Sequence, residues 1–224
     1  MIKELKQSDL HDFDKCKKNI GIKMINAKNN RTVKLTSPCR KMHDTLITYY
    51  IAVNADRNGI HSMHIDNTIL DEWGISMTKL HEQAMKSNRN AFGISVMDIE
   101  TAMNQVLNNE SDNDVYDSVF SINVNSHESI YVATNAWKIF GASVILYNDI
   151  LNEVADKLND DLYILPSSIH EALLIGASNC SMDIGELKKM VIDTNANPLV
   201  MSKNDILSNN VYFYEKYSNK LKIA

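Results

Sequence analysis

Apolar and polar residues follow two rhythms along the 224-residue chain, one repeating every second position and one every third or fourth. The first marks strands with one wet face, the second marks amphipathic helices. Leu10, Phe13, Lys17 and Ile20 share a helical face, which predicts a short helix from about Ser8 to Asn19 with Ser8 as its cap. Ile20 to Ala27 alternates and predicts a strand, and Ser37-Pro38 breaks whatever precedes it. Thr45 to Val53, TLITYYIAV, is rich in β-branched and aromatic residues and predicts a buried strand. Asn58-Gly59 supplies the positive-φ residues of a hairpin turn, with Ile60 to Ile65 as the return strand. Asp66 or Asn67 then caps a short helix facing inward through Ile69, Leu70 and Trp73 and closed by Gly74. Ser76 caps a second helix with Met77, Leu80 and Ala84 inward. Ser95 and Asp98 make a capping-box pair for a third, carrying Ile99, Met103, Val106 and Leu107.

From Asn108 to Ser129 the pattern turns polar and acidic, and only Val115 to Val124 can form a strand. Ser129 to Thr134 predicts a strand, Asn135 to Phe140 a loop, and Gly141 to Tyr147 a central strand apolar on both faces. Asn148 or Asp149 caps a helix with Leu151, Val154, Ala155 and Leu158 inward and a Glu153–Lys157 pair outward. Asp161 to Leu165 and Ile169 to Gly176 predict two strands separated at Pro166. Ser181 and Ser202 open two more helices, the first with Ile184, Leu187 and Val191 inward, the second with Asp205 in capping-box position. Val211 to Tyr214 and Lys220 to Ile223 predict a closing hairpin over Ser218-Asn219.

The expected fold is α+β, a mostly antiparallel sheet built from hairpin-plus-helix units with helices on one face. The expected organisation is an N-terminal half at 1–110, a polar connector at 111–128 and a C-terminal half at 129–224, or alternatively one domain over 1–224. The halves echo one another. Asn54-Ala55, Gly59, Asp66-Asn67 and Ile69-Leu70 align with Asn135-Ala136, Gly141, Asn148-Asp149 and Ile150-Leu151, although hairpin-then-helix units also recur by physics alone.

Composition narrows the function. With 44% hydrophobic and 23% charged residues the chain has enough apolar surface for a real core. Its net charge of -5, and lysines that cluster near the start at Lys15, Lys17, Lys18 and Lys23 with no basic stripe of interleaved aromatics following, argue against nucleic acid. Cys16, Cys39 and Cys180 are odd in number and widely spaced, which predicts reduced thiols and a cytoplasmic location. No apolar run is long enough to cross a bilayer, and MIKELKQSDLHDF lacks the apolar core of a signal peptide, so no membrane partner is expected.

The sharpest chemical candidate is Leu165-Pro166-Ser167-Ser168-Ile169-His170-Glu171. A His and a carboxylate beside a Pro-Ser-Ser turn supply an acid/base group, with Ser167 or Ser168 as nucleophile. On a strand His170 and Glu171 point to opposite faces, whereas Ser168 and His170 share one. The simpler reading is that the serines satisfy backbone groups around the proline and His170 is a hydrogen-bonded structural residue. Metal and phosphate chemistry find no pattern. His81-Glu82 and His170-Glu171 lack the second histidine of a zinc helix, and His61 and His64 face opposite ways. The Asp112–Asp114 stretch lacks the glycine of a calcium loop, and there is no glycine-rich phosphate loop. No cofactor is expected. The eleven methionines read as core filler or as an adaptable binding surface.

Phe140-Gly141-Ala142-Ser143-Val144-Ile145-Leu146-Tyr147, Asp149-Ile150-Leu151 and Tyr163 through Glu171 resemble the C-terminal signature of a bacterial domain-of-unknown-function family, number fifty-six eighty-eight. Ile25-Asn26, Thr48 to Val53, Trp73-Gly74-Ile75-Ser76, Ser181-Met182-Asp183 and Val211 to Tyr214 are similar too. The resemblance runs from about Ile20 to the C-terminus. Pro38-Cys39-Arg40-Lys41 departs from it by lacking a histidine soon after the proline. The resemblance implies no reaction. The chain therefore reads first as a non-enzymatic, soluble protein-binding module, and on a mobile element as an inhibitor of a host or rival system. Ser167, Ser168, His170 and Glu171 are the candidate binding residues. The alternatives are a hydrolase-like enzyme using Ser168 and His170, and a subunit of a larger assembly.

Overall fold

The computed structural model describes residues 2–56, 59–107, 120–124 and 130–224, which fall into two compact units, Met1–Gly93 and Ile94–Ala224. The fold is α+β with mostly antiparallel sheets. The strand and helix at 94–107 cluster with the second unit, and most of the polar connector at 111–128 lies outside the described residues, as does the Asn58 turn position.

In the first unit, β1 (Ile20–Asn26), β2 (Arg40–Met42), β3 (Thr45–Asp56) and β4 (Gly59–His64) form a four-stranded antiparallel sheet centred on β3. The β-branched run predicted to be buried is buried, from Thr45 to Ala52. Three short or medium helices accompany it: α1 (Phe13–Cys16), α2 (Val33–Thr36) and α3 (Asn67–Trp73). The cap of α1 is Asp12, which accepts from the Asp14 and Lys15 amides, rather than Ser8; the predicted helix is reduced to this one α-helical turn after a 3-10 turn at Gln7–Asp9. Asp66 caps α3 and Gly74 ends it at φ +60°, as the pattern predicted.

Helix α4 (Met77–Phe92) lies along the outer edge of β1. There the Ile22 amide donates to Asn88 Oδ1 at 2.9 Å, and Ser87 Oγ donates to the Ile20 carbonyl at 2.6 Å. Both side chains are buried, at 2% and 4% exposure. An edge strand exposes unpaired main-chain groups, and here two helix side chains complete them in place of another strand.

The same unit holds two histidines whose surroundings favour the neutral ring. Tyr49 Oη lies 2.9 Å from His81 Nδ1, and Ser37 Oγ lies 2.7 Å from His64 Nε2. Burial lowers the affinity of both rings for a proton. Arg40 lowers His81 further while Glu82 opposes it; for His64, Asp66 opposes and Lys23 assists. Burial also pushes the Tyr49 phenol up, so it stays protonated beside His81. A ring that takes a proton less readily folded than unfolded contributes stability that is fully present above the unfolded value of about 6.5, and this declines as pH falls toward the folded value. We expect the urea midpoint of this unit to drop between about pH 7.5 and 5.5. A double His64→Gln, His81→Gln variant should flatten that dependence. A wild-type midpoint that holds or rises on acidification would contradict the assignment.

In the second unit, seven strands run in the order β11-β10-β8-β9-β7-β5-β6 among the described residues. They are β5 (Ile94–Asp98), β6 (Phe120–Ile122), β7 (Ile130–Thr134), β8 (Leu162–Leu165), β9 (Ala172–Gly176), β10 (Tyr212–Glu215) and β11 (Lys220–Ile223). Among the described residues only the β5–β6 pairing is parallel. The helices are α5 (Ile99–Leu107), α6 (Asn148–Leu158) and α7 (Ile184–Ala196).

Strand alternation sorts the second sheet's residues into two faces. One carries Tyr131, Ala133, Ile164, Leu174, Tyr212 and Tyr214, all within 1% of full burial, and Tyr214 Oη reaches the Asn148 carbonyl at the start of α6. The other carries Leu165 and Ile175, which pack with Val211 against Leu187 and Val191 of α7. Helix α7 thus packs on the second face, and α6 begins beside Tyr214 of the first.

Four local readings are corrected. Gly141–Leu146 is a buried 3-10 helix, not a strand. An apolar run with no wet side carries no periodicity to tell the two apart. Its entry is set by Lys138 and Phe140 in the left-handed region, and Ser143 Oγ closes on the Phe140 carbonyl. The echo between the halves consequently ends here, because Gly59–His64 is a strand. Ser95 sits within β5, and α5 begins after Asp98, whose carboxylate receives the Thr101 amide at 2.7 Å. Asp183, not Ser181, caps α7 in a reciprocal box with Glu186. Residues 202–206 form a turn instead of a helix, and Ile206 bridges to Ser168.

Candidate functional site

After Leu165, the last residue of β8, the predicted site segment is not strand until Ala172, so the expectation that alternation sets the directions of His170 and Glu171 does not apply. The segment is a strap held by main-chain bonds. Pro166 and Ser167 carbonyls accept from Ser208 and Leu207, the Ile169 amide donates to Asp205, and the His170 carbonyl accepts from Thr134 Oγ1 at 2.8 Å.

Ser168 is buried, and its Oγ accepts the His170 amide at 3.0 Å; the bond goes to the main chain and not to the ring. The His170 ring stacks on Phe140, with centroids 5.8 Å apart and planes 18° from parallel. Its Nδ1 accepts the Phe140 amide at 3.3 Å, which puts the neutral ring's proton on Nε2, 3.6 Å from Asp205 Oδ1. One nitrogen is thus occupied by a backbone donor and the other faces a carboxylate. In this arrangement His170 ties the 135–140 loop to the 202–206 turn, and neither nitrogen is placed to take the Ser168 hydroxyl proton.

Glu171 goes elsewhere. With Lys138 it stands on the wall of an apolar groove of about 420 Å³ between α5 and the strands β5, β7 and β9. The floor is Met97, Val132 and Leu173, neighbours across three strands, and the far wall is Met103 and Val106 of α5. Lys138 arrives from a loop wound around the buried Asn135. That side chain accepts the Trp137 and Ile139 amides and donates to the Ile139 carbonyl. Lys138 Nζ then donates to Gln105 Oε1 at 2.9 Å, joining loop to helix. The structure thus separates the four predicted residues: Ser167, Ser168 and His170 serve the strap, and Glu171 lines the groove.

Sequence reading missed the groove, although one signal was available. Helix α5 is apolar at Ile99, Met103, Val106 and Leu107, read as an inward face, yet Met103, Val106 and Leu107 are exposed. The Cys16 thiol is buried and pushed up to about 11, by burial first and then by Asp12 and Asp9, which makes it a poor nucleophile. Among the described residues no three His, Cys, Asp or Glu side chains gather as metal ligands, and Asp112 and Asp114 lie outside those residues. No helix among the described residues is long and apolar enough to cross a membrane.

Residues 1–216 match a family of unknown function, DUF5688. The chain belongs to DUF5688. This agrees with the resemblance read from the sequence and extends it to the first residues, so the α1 region of this DUF5688 member falls within the family match. No curated protein and no solved structure matches the chain.

Proposed function

We propose that this DUF5688 protein is a non-enzymatic binding protein of the bacterial cytoplasm that takes an apolar segment of a partner protein into the groove beside α5. The observation that supports this reading is the helix itself. Met103, Val106 and Leu107 are 58%, 73% and 74% exposed, and the same residues line the groove. The apolar stripe of an amphipathic helix normally faces a core, and contiguous exposed apolar surface rimmed by polar groups is the mark of an interaction site. Burying these three side chains would contribute about 5 kcal/mol, which is comparable to the freedom lost on association, about 4–15 kcal/mol. The partner must therefore supply anchors of its own. Carried on a mobile element, such a protein would act by occupying a surface of a host or rival protein. The test is affinity capture from the native host with wild-type chain and with Val106→Asp, a change at an exposed position. We expect a stoichiometric partner on the wild type only. Absence of any stoichiometric partner at all growth stages would sink the reading.

A further inference from the structure

Resting on the groove as a protein-binding site, we infer that its occupant is an amphipathic helix carrying a basic residue beside its apolar stripe, recognised by Glu171.

The helical form follows from the groove's floor. Met97, Val132 and Leu173 lie on β5, β7 and β9, and β7 pairs with β5 on one side and β9 on the other. Strand β9 pairs in turn with β8, and β5 with β6. The main-chain groups beneath the groove are thus engaged in the sheet ladder, and the site offers side chains rather than a hydrogen-bonding edge. An extended peptide laid there would leave its own amides and carbonyls unmatched in an apolar channel. A helix satisfies them internally and presents anchors at i, i+3, i+4 and i+7.

The sign of the charge follows from the rim. Lys138 is committed to Gln105 and to the loop it closes. Glu171 is exposed and, among the described residues, makes no hydrogen bond and no ion pair. Lys138 keeps its positive charge but its ammonium is engaged by Gln105, so Glu171 is the rim charge left to pair with an incoming group, on a chain whose net charge is -5. Complementary rim charges choose among partners more than they add affinity. Glu171 is placed to select a lysine- or arginine-bearing helix over an acidic one with the same apolar face.

The test uses the full chain and two labelled helical peptides, identical in leucines at i, i+3, i+4 and i+7. One carries lysines flanking the stripe and the other glutamates at those positions. Binding is read by fluorescence anisotropy at low salt. We expect the lysine peptide to bind the wild type about fivefold more tightly, near parity with Glu171→Gln, and the reverse preference with Glu171→Lys. Far-UV circular dichroism confirms that each variant is folded. Equal binding of both peptides to the wild type, with both lost in Val106→Asp, would overturn the charge selection and leave the groove reading standing. Preference for the glutamate peptide would overturn it also. Failure of both peptides to bind, or binding indifferent to Val106→Asp, would overturn the groove reading with it.

Discussion

Gly141→Ala should lower the stability of the C-terminal unit by about 3 kcal/mol or more, seen in calorimetry as a transition roughly 6–12 °C lower. A methyl group at this position would overlap Thr134 Oγ1 and sit 2.5 Å from the His170 carbonyl oxygen and 2.6 Å from the Asn135 nitrogen. Two of those three atoms are main chain and cannot rotate away. The third is held in place by the bond it donates to the His170 carbonyl, at 2.8 Å. Glycine is needed here for close approach, because the end of β7, the 3-10 helix and the strap before β9 meet at one point. Thr134→Ala in the Gly141→Ala background removes only one of the three overlaps, so it should restore part of the loss and no more. A Gly141→Ala chain within about 0.5 kcal/mol of wild type would show that these three segments do not meet as described.

Asn88→Ala should cost the N-terminal unit about 1–3 kcal/mol, because it leaves the buried Ile22 amide without its acceptor. The local effect on α4 has the opposite sign. Alanine is the better helix former by at most about 0.7 kcal/mol, so a net loss in denaturant unfolding isolates the edge contact. The amide of Ile22 should also exchange with solvent deuterium faster than its neighbours in β1. Stabilisation on substitution would mean that helix propensity dominates and that α4 does not complete the edge of the sheet.

The parts of this structure legible in the sequence are those written within a few residues. Asp66, Gly74 and Ser76 signal helix ends through their own side chains or backbone, and they act where expected. The β-branched run of β3 identifies itself because only a buried strand uses Thr-Leu-Ile-Thr-Tyr-Tyr-Ile so densely. Misreadings arise where two local signals compete. Ser181 and Asp183 both resemble caps, and Asp183 prevails because Glu186 reciprocates. Gly141 to Leu146 offers no wet face, so its form is decided by the partners on either side. Ser87 and Asn88 read as ordinary polar positions on α4, since their role is defined by a strand far away in sequence. The groove is legible for the same reason only in half. The apolar wall on α5 is visible as a pattern, whereas Met97, Val132 and Leu173 become a floor only through the antiparallel registers of β5, β7 and β9. Strand alternation would put Ser168 and His170 on one face, but the segment is not a strand there, and the fold turns one toward the main chain and the other toward Asp205.

Site-specific photo-crosslinking in the native host tests the groove most directly. A crosslinking residue at Met103, 58% exposed on α5, is compared with one at Tyr217, 93% exposed in the closing hairpin. The groove account predicts a single saturable adduct from position 103, displaced by excess unlabelled wild-type chain, and none from position 217. No adduct from position 103, or equal adducts from both positions, would contradict it.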